Sequence, residues 1–477
     1  MALAGRTAPS RVIFGPHETN LGRGRTLSDR HVAYYRARAS GGAGMVVTET
    51  ASVHRSDWPY ERAPLAESCG SGWAAVAAAC RPHGTLVLAG LGHCGGQGSS
   101  AHSQSVLFAP SRVADVVSRE MPVEMEPEDI ADVVAGFAGA AGLAVDAGLD
   151  GVEVDAGYAS LLRQFHSGLT NHRDDGYGAD RVLLTVEVLG AVRAALGAGP
   201  VLALRLSCDE LAPWAGVTPD MAAEQVAVLA ELVDLVVVVR GGPFSASAYR
   251  PDAHTPATFN LDLCRQMRQA AAGRAAVALQ GSVIEPAAAE AALADGACDA
   301  VEMTRAQIAE PNLVALVRDG TPHRARPCIL CNQACRVRDD RNPVVSCVGE
   351  PRSGYETLEP DPEGSDEAHH DVLVVGAGPA GLECARVLAG RGHHVRVLER
   401  DDRPGGALRA AAVGPGRQRL AALSEWLLAE CRALGVSVTT GRPVGVAEID
   451  EARSQGEEVV LATGGRPAPV GDDPVPV

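Results

Sequence analysis

The sequence predicts an α/β protein built around a (β/α)8 barrel. Three observations carry this expectation. Eight short apolar runs alternate with longer helical patterns through the first 320 residues, four cysteines crowd between Cys328 and Cys347, and a glycine-rich strand–helix–strand pattern opens at Asp371. At 477 residues the chain has room for about three domains by the length prior.

The apolar runs are Val12–Phe14, Met45–Thr50, Leu86–His93, Gly151–Ala156, Val201–Ser207, Val233–Val239, Ala276–Ser282 and Ala300–Arg305. Between them lie helical patterns such as Ser28–Gly41, Glu128–Gly148, Asp180–Leu196, Pro219–Leu232, Asn260–Ala272 and Pro286–Gly296. Continuous Val/Leu/Ile runs separated by helices indicate parallel strands covered on both faces. Eight such units fit a barrel of ordinary size, and a doubly wound open sheet is the rival. Residues 321–370 form a second region that carries the cysteines and then turns acidic and proline-rich from Glu359 to Glu367, as an exposed linker does. In the third, 371–477, a strand Asp371–Val375 leads through Gly376-x-Gly378-x-x-Gly381 into a helix ending near Gly390, then a strand Val395–Leu398 ending at Glu399. This is a complete dinucleotide fingerprint: glycines for the tight turn and close pyrophosphate approach, a helix N-terminus for the negative charge, and an acid at the usual distance for the ribose.

Composition excludes several classes. A formal net charge of −17 argues against nucleic-acid or anionic-membrane binding. No apolar run approaches the ~20 residues of a membrane span, and the first ten residues lack a secretion signal, so a cytoplasmic location is expected. All 42 basic residues are arginine, which rules out a lysine Schiff base or a Walker-type phosphate loop. Eight of the twelve cysteines are scattered singly, unlike a disulfide framework.

Barrel active sites lie at the C-terminal ends of the strands. That rule selects His93, Asp155, Tyr158, Arg205, Gly281-Ser282 and Thr304-Arg305. The last two pairs occupy the loops where barrels commonly bind phosphate, so FMN is the expected cofactor, with a rim salt bridge the plainer reading of Arg305. Cys328, Cys331, Cys335 and Cys347 follow the spacing C-x2-C-x3-C-x11-C. Four thiolates suit an iron–sulfur cluster or a structural zinc, and one tight loop with a distant fourth ligand favours a [4Fe–4S] cluster.

The order of barrel, Arg326-Pro-Cys-Ile-Leu-Cys-Asn-Gln-Ala-Cys335, distal cysteine and Val375-Gly-Ala-Gly-Pro-Ala-Gly-Leu-Glu383 resembles the 2,4-dienoyl-CoA reductase and trimethylamine dehydrogenase branch of the old yellow enzyme family. The segment around the cysteines also resembles mycofactocin-associated members. Arg11-Val-Ile-Phe-Gly15-Pro16 resembles the family's first strand and FMN-contacting turn, Asn171–Gly178 its Asn-x-Arg-x-Asp-x-Tyr-Gly segment, and Arg205 the arginine near the flavin pyrimidine. The resemblance implies a flavin-dependent oxidoreductase with an FMN barrel (1–320), an iron–sulfur segment (321–370) and an incomplete FAD/NAD-type domain (371–477). Electrons would pass from NAD(P)H to FAD, singly through the cluster, and on to FMN and a small organic substrate. Gly376, Gly378, Gly381, Glu399, Arg400 and Gly406 would serve the adenine and pyrophosphate side of FAD.

Three departures qualify what the resemblance implies. Gly90 stands where the family has a flavin-contacting glutamine, a role Gln97 could take over. Asp155 stands where the family often has histidine, and Ser160 where the dienoyl-CoA reductases have tyrosine; Tyr158 is displaced by two. An aspartate there repels a developing enolate and better suits a cationic substrate, or a base toward an alcohol or amine. Asp155, Tyr158 and His254 are the candidate catalytic groups, with rim hydrogen bonding and a solvated loop as the structural readings of Tyr158 and His254. Finally, the chain stops at Val477, short of the family's nicotinamide lobe and the rest of its FAD site. The expectation is a split or shortened chain needing an electron-donor protein or the missing lobe, with homo-oligomerisation favoured if apolar surface is left uncovered. The alternative is an impaired scaffold that binds flavin without turnover.

Overall fold

In the computed structural model, residues 1–335, 343–359 and 368–465 are described. The chain divides into two compact units, Met1–Glu359 and Pro360–Val477. Most of the stretch read as a linker, 360–367, lies outside the described residues.

The first unit is a closed barrel. Its strands are β1 (Val12–Phe14), β2 (Met45–Val47), β3 (Leu86–Gly92), β4 (Gly151–Ala156), β5 (Val201–Ser207), β6 (Leu235–Val239), β7 (Ala276–Leu279) and β8 (Ala300–Glu302). Each pairs in parallel with the next, and β8 pairs back to β1 through Val301↔Val12 and Glu302↔Ile13. Closure removes the edges that the rival open sheet would keep. The intervening helices include α1 (Asp29–Ser40), α2 (Gly70–Cys80), α3 (Pro127–Asp146), α4 (Leu183–Leu196), α5 (Pro219–Leu229), α6 (Leu261–Ala271) and α7 (Pro286–Ala294). Three of them open on proline, whose fixed φ and missing N–H suit a first helical turn. Strand β8 is shorter than its apolar run because a helix begins at Thr304.

Two apolar cores follow from the period of two along each strand. Outward residues such as Val152, Val154, Leu202, Leu204, Val236 and Val277 pack under the helices. Inward residues Ile13, Met45, Val47, Leu86, Leu88, Val201, Ala203, Leu235, Val237, Ala278 and Ala300 fill the ring, with Leu3 and Ala8 of the N-terminal hairpin in the same cluster. Among the described residues no helix is long and apolar enough to cross a membrane.

Residues 343–359 belong to the barrel unit. Val345 N–H donates to Thr19 O at 2.8 Å, and Asn20 donates to Pro343 O at 3.0 Å. Arg38 of α1 is fully buried; it donates to Ser353 Oγ at 2.7 Å and Gln307 O at 3.2 Å, and pairs with Glu356.

The second unit has a parallel sheet in the order β11 (Ser437–Thr439), β10 (His394–Leu398), β9 (Asp371–Val375), β12 (Glu458–Leu461), with helix α8 (Pro379–Gly390) crossing from β9 to β10.

Arg38→Met keeps the stem of this side chain but orphans Glu356, the Gln307 carbonyl and the Ser353 hydroxyl. It should lower the stability of the barrel unit by about 3 kcal/mol, read as a drop in its urea midpoint; an unmoved midpoint would show that the ion pair contributes nothing.

Candidate active site

The inward register that fills the barrel with aliphatic side chains turns polar in its upper layer. Counting by twos, β4 presents Glu153 and then Asp155, β5 presents Arg205, and β8 presents Glu302. Arg205 Nε donates to Glu153 Oε1 at 2.7 Å, and its Nη2 pairs with Glu302 Oε2. Burial alone would lower the Arg205 pKa, but the two carboxylates more than offset it and raise it. Burial pushes Glu153 up to about 7 against the pull of Arg205, with the Glu302 charge adding to the rise. Burial also raises Asp155, whose Oδ1 accepts the Gly157 N–H at 2.8 Å.

Above this layer opens a cavity lined by Pro16, His17, Glu18, Asp57, Tyr60, His93, Cys94, Asp155, Tyr158, Arg205, Tyr249, Arg250, Gly281, Ser282, Thr304 and Arg305, among others. Tyr158 stacks on Tyr249 with ring centroids 3.6 Å apart and planes 5° from parallel. Its hydroxyl is 3.3 Å from Arg250 Nη2, which lies equally close to Glu18. His93 Nδ1 accepts the Gly95 N–H at 2.9 Å and Nε2 faces Ser56 Oγ at 3.1 Å, while burial lowers its pKa. The structure does not bring His254 to the cavity. Its side chain is 61% exposed and pairs with Asp252 two residues away in its own turn.

The rim expected to take a phosphate gathers as one corner. Gly281 has φ +131 and Ser282 φ +52, backbone angles that point this turn out of the strand path. Arg305 donates to Ser282 Oγ at 2.8 Å and to Pro251 O at 2.6 Å. The Thr304 hydroxyl accepts Gly15 N–H at 2.9 Å, tying β8 to β1. Gly15 is demanded by packing, since a Cβ there would sit 2.2 Å from Glu302 Cδ.

Gly90 allows no side chain: a Cβ would stand 2.6 Å from Thr48 O. Nor does Gln97 take its place, because its amide oxygen accepts from the buried Arg163 at 2.5 Å and it does not line the cavity.

Cys328, Cys331, Cys335 and Cys347 are half-buried electrostatic neighbours. Burial pushes Cys335 up to about 12, with Cys328, Cys331 and Cys347 adding to the rise and Arg305 opposing it. Burial likewise pushes Cys347 up to about 11, with Cys328 and Cys331 contributing. Cys335 and Asn332 also line the barrel cavity. Among the described residues no three His, Cys, Asp or Glu side chains converge as ligands of one metal ion do.

In the second unit the fingerprint glycines divide their work. Gly376 has φ +106, a Cβ on Gly381 would meet Gly376 O at 2.0 Å, and the space beside Gly378 is open. Gly406 comes against Gly378, its Cβ direction 3.2 Å from Gly378 Cα. Glu399 uses its carboxylate on backbone, accepting Ala377 N–H at 2.7 Å and Asp401 N–H at 2.9 Å, while Arg400 is 55% exposed beside Asp401.

Residues 7–324 match the NADH:flavin oxidoreductase / NADH oxidase family, and residues 374–427 match an NAD(P)-binding Rossmann-like domain. The chain belongs to the NADH:flavin oxidoreductase family. It is 33% identical to a metal reductase of Desulforamulus reducens, covering 98% of this chain and 70% of that one. It is 30% identical to N,N-dimethylglycine/sarcosine dehydrogenase of Chromohalobacter salexigens, covering 97% and 68%. The structure of 2-naphthoyl-CoA reductase with 2-naphthoyl-CoA superposes with a TM-score of 0.91 at 26% identity over 98% of this chain and 74% of that one. As a member of this family the protein is a flavin-dependent oxidoreductase.

Sequence reasoning missed Glu153 and Glu302, the acids that hold Arg205, and Tyr249 and Arg250, which flank Tyr158. The first two carry a signal, an inward-facing acid in a mainly apolar strand; Tyr249 ends the single helical turn Ala246–Tyr249 and Arg250 follows it, with no periodicity to expose them.

Because folding raises the Glu153 pKa from 4.5 to about 7, its contribution to stability is lost as pH rises through that window. Glu153→Gln removes this dependence. Between pH 5 and pH 8 the wild type should lose about 2 kcal/mol relative to the variant in paired denaturation curves; parallel curves would refute the shift.

Proposed function

We propose that the cavity binds FMN with its phosphate at the Gly281–Ser282–Arg305 corner and its ring above Arg205. We further propose that the four cysteines hold a [4Fe–4S] cluster and that the substrate is a small amine or alcohol which the enzyme oxidises. FMN would supply two-electron exchange with the substrate, and the cluster one-electron exchange with a donor or acceptor.

The donor sets fit. The corner offers a guanidinium, a hydroxyl and the cavity-lining backbone of a glycine turn to a dianion. Burial raises the Cys335 and Cys347 thiols, so loading with metal would release protons and favour the cluster as pH rises. One tight loop, Cys328–Cys335, with a distant fourth cysteine at Cys347 favours a [4Fe–4S] cluster over a single zinc. The Rossmann-like unit, with open space beside Gly378, would take the adenine and pyrophosphate of FAD or NAD(P)H.

The observation that carries the substrate class is Asp155, a carboxylate lining the cavity with Asp57 in the same lining, while Glu18 is paired with Arg250. Such a wall favours a cation over an enolate. Burial makes Asp155 a better base than a free aspartate, suited to taking the N–H or O–H proton as the neighbouring C–H is oxidised. The stacked rings of Tyr158 and Tyr249 would form one wall beside the substrate, and Arg250 would orient the Tyr158 hydroxyl. The dimethylglycine/sarcosine dehydrogenase among its relatives agrees with an amine.

Purified protein should carry a flavin spectrum with a cluster shoulder, about four irons and no stoichiometric zinc; a colourless, iron-free, folded preparation would end the reading. Cys335→Ser should lose the shoulder and most of the iron while keeping flavin. Secondary and tertiary amines should bleach the bound flavin anaerobically, and Asp155→Asn should slow that bleaching about 100-fold or more. Turnover by enones alone, untouched by Asp155→Asn, would reassign the substrate to the enoyl class.

A further inference from the structure

Asn332 lies inside the cysteine loop, between Cys331 and Cys335, yet its side chain is spent on the barrel. Its Oδ1 accepts from Arg305 Nη1 at 2.8 Å, and its Nδ2 donates to Arg250 O at 3.0 Å and Pro251 O at 3.3 Å. The same Arg305 reaches Ser282 Oγ with its other terminal nitrogen and Pro251 O with the first. Asn332 has φ +50 and Leu330 φ +53, left-handed angles that an asparagine accepts more readily than most residues. A single amide therefore joins the cysteine loop to the guanidinium of the phosphate corner and to the backbone that carries Arg250.

We propose that Asn332 is a positioning residue that couples the two cofactor sites. Filling the cysteines fixes the loop, the loop fixes Asn332, and Asn332 holds Arg305 in place for the flavin phosphate. The inference rests on the FMN and cluster readings above. Coupling of this kind is reciprocal: the cluster must strengthen FMN binding by the same factor by which FMN strengthens retention of the cluster.

The test measures FMN affinity by flavin fluorescence quenching in full-length protein, with the cluster intact and after its anaerobic removal by a chelator. In the wild type, removal should weaken FMN binding about tenfold, the scale of one charge-assisted hydrogen bond, and added FMN should slow iron loss to the chelator. Asn332→Gly keeps the left-handed backbone and deletes the amide; its FMN affinity should change less than twofold on cluster removal, and FMN should no longer protect its iron. Asn332→Asp serves if the glycine variant fails to fold. Its carboxylate would claim Arg305 in competition with the phosphate and should weaken FMN about tenfold with the cluster intact.

Equal coupling in wild type and Asn332→Gly, no coupling in the wild type, or an unchanged FMN affinity in Asn332→Asp would each overturn the proposal. Arg305→Ala separates this from the reading beneath it. If that variant binds FMN as the wild type does, the phosphate corner itself is misassigned, and if the protein holds no iron, the cluster reading falls first. If Arg305→Ala weakens FMN while the Asn332 variants do not, only the coupling fails.

Discussion

A ring of eight parallel strands gives its inward side chains a single exit. Below the upper layer the residues must be apolar, because nothing there can solvate a charge; at the top, charge is tolerated where it is matched. Arg205 supplies that match. It is held between Glu153 on the neighbouring strand β4 and Glu302 on β8, three strands further around the ring, and with Asp155, Tyr158, Gly281 and Arg305 it lines the cavity above. Removing its partners would bury an isolated cation, so the three groups must be understood together.

Much of the barrel was legible because parallel strands buried on both faces leave continuous apolar runs. Gly151–Ala156 and Val201–Ser207 coincide with their sequence-read limits. Other boundaries were less visible. The run through Ala300 continues to Arg305, but Thr304 starts a helix, since a strand and a helix of similar apolar content differ only in backbone angle there. The fingerprint at Gly376 was the most readable feature: Gly376 answers a backbone angle, Gly381 a close approach to Gly376 O, and Gly378 leaves open space beside the turn.

The site was legible only in part. Asp155, Arg205, Gly281 and Arg305 could be placed because strand ends mark the mouth of a barrel. His254 was selected by chemistry alone, and its loop turns it outward. Gly90 shows the limit of reading by analogy: the backbone of the neighbouring strand segment occupies the space a glutamine side chain would need, and this could be seen only in three dimensions. Tyr249 and Arg250 are adjacent in sequence, but no sequence rule brings them to Tyr158 across some ninety positions.

The position of Glu153 has an electrical consequence. A carboxyl that is half-ionised near neutrality, beside a permanent cation and beneath the cavity, makes the potential at the mouth of the barrel vary with acidity. As the medium becomes more alkaline, Glu153 gains its charge and adds a second negative partner to the Arg205–Glu302 pair, and as it becomes more acidic that pair is left matched one to one. The charge beneath the cavity is thereby graded with acidity, with no moving part.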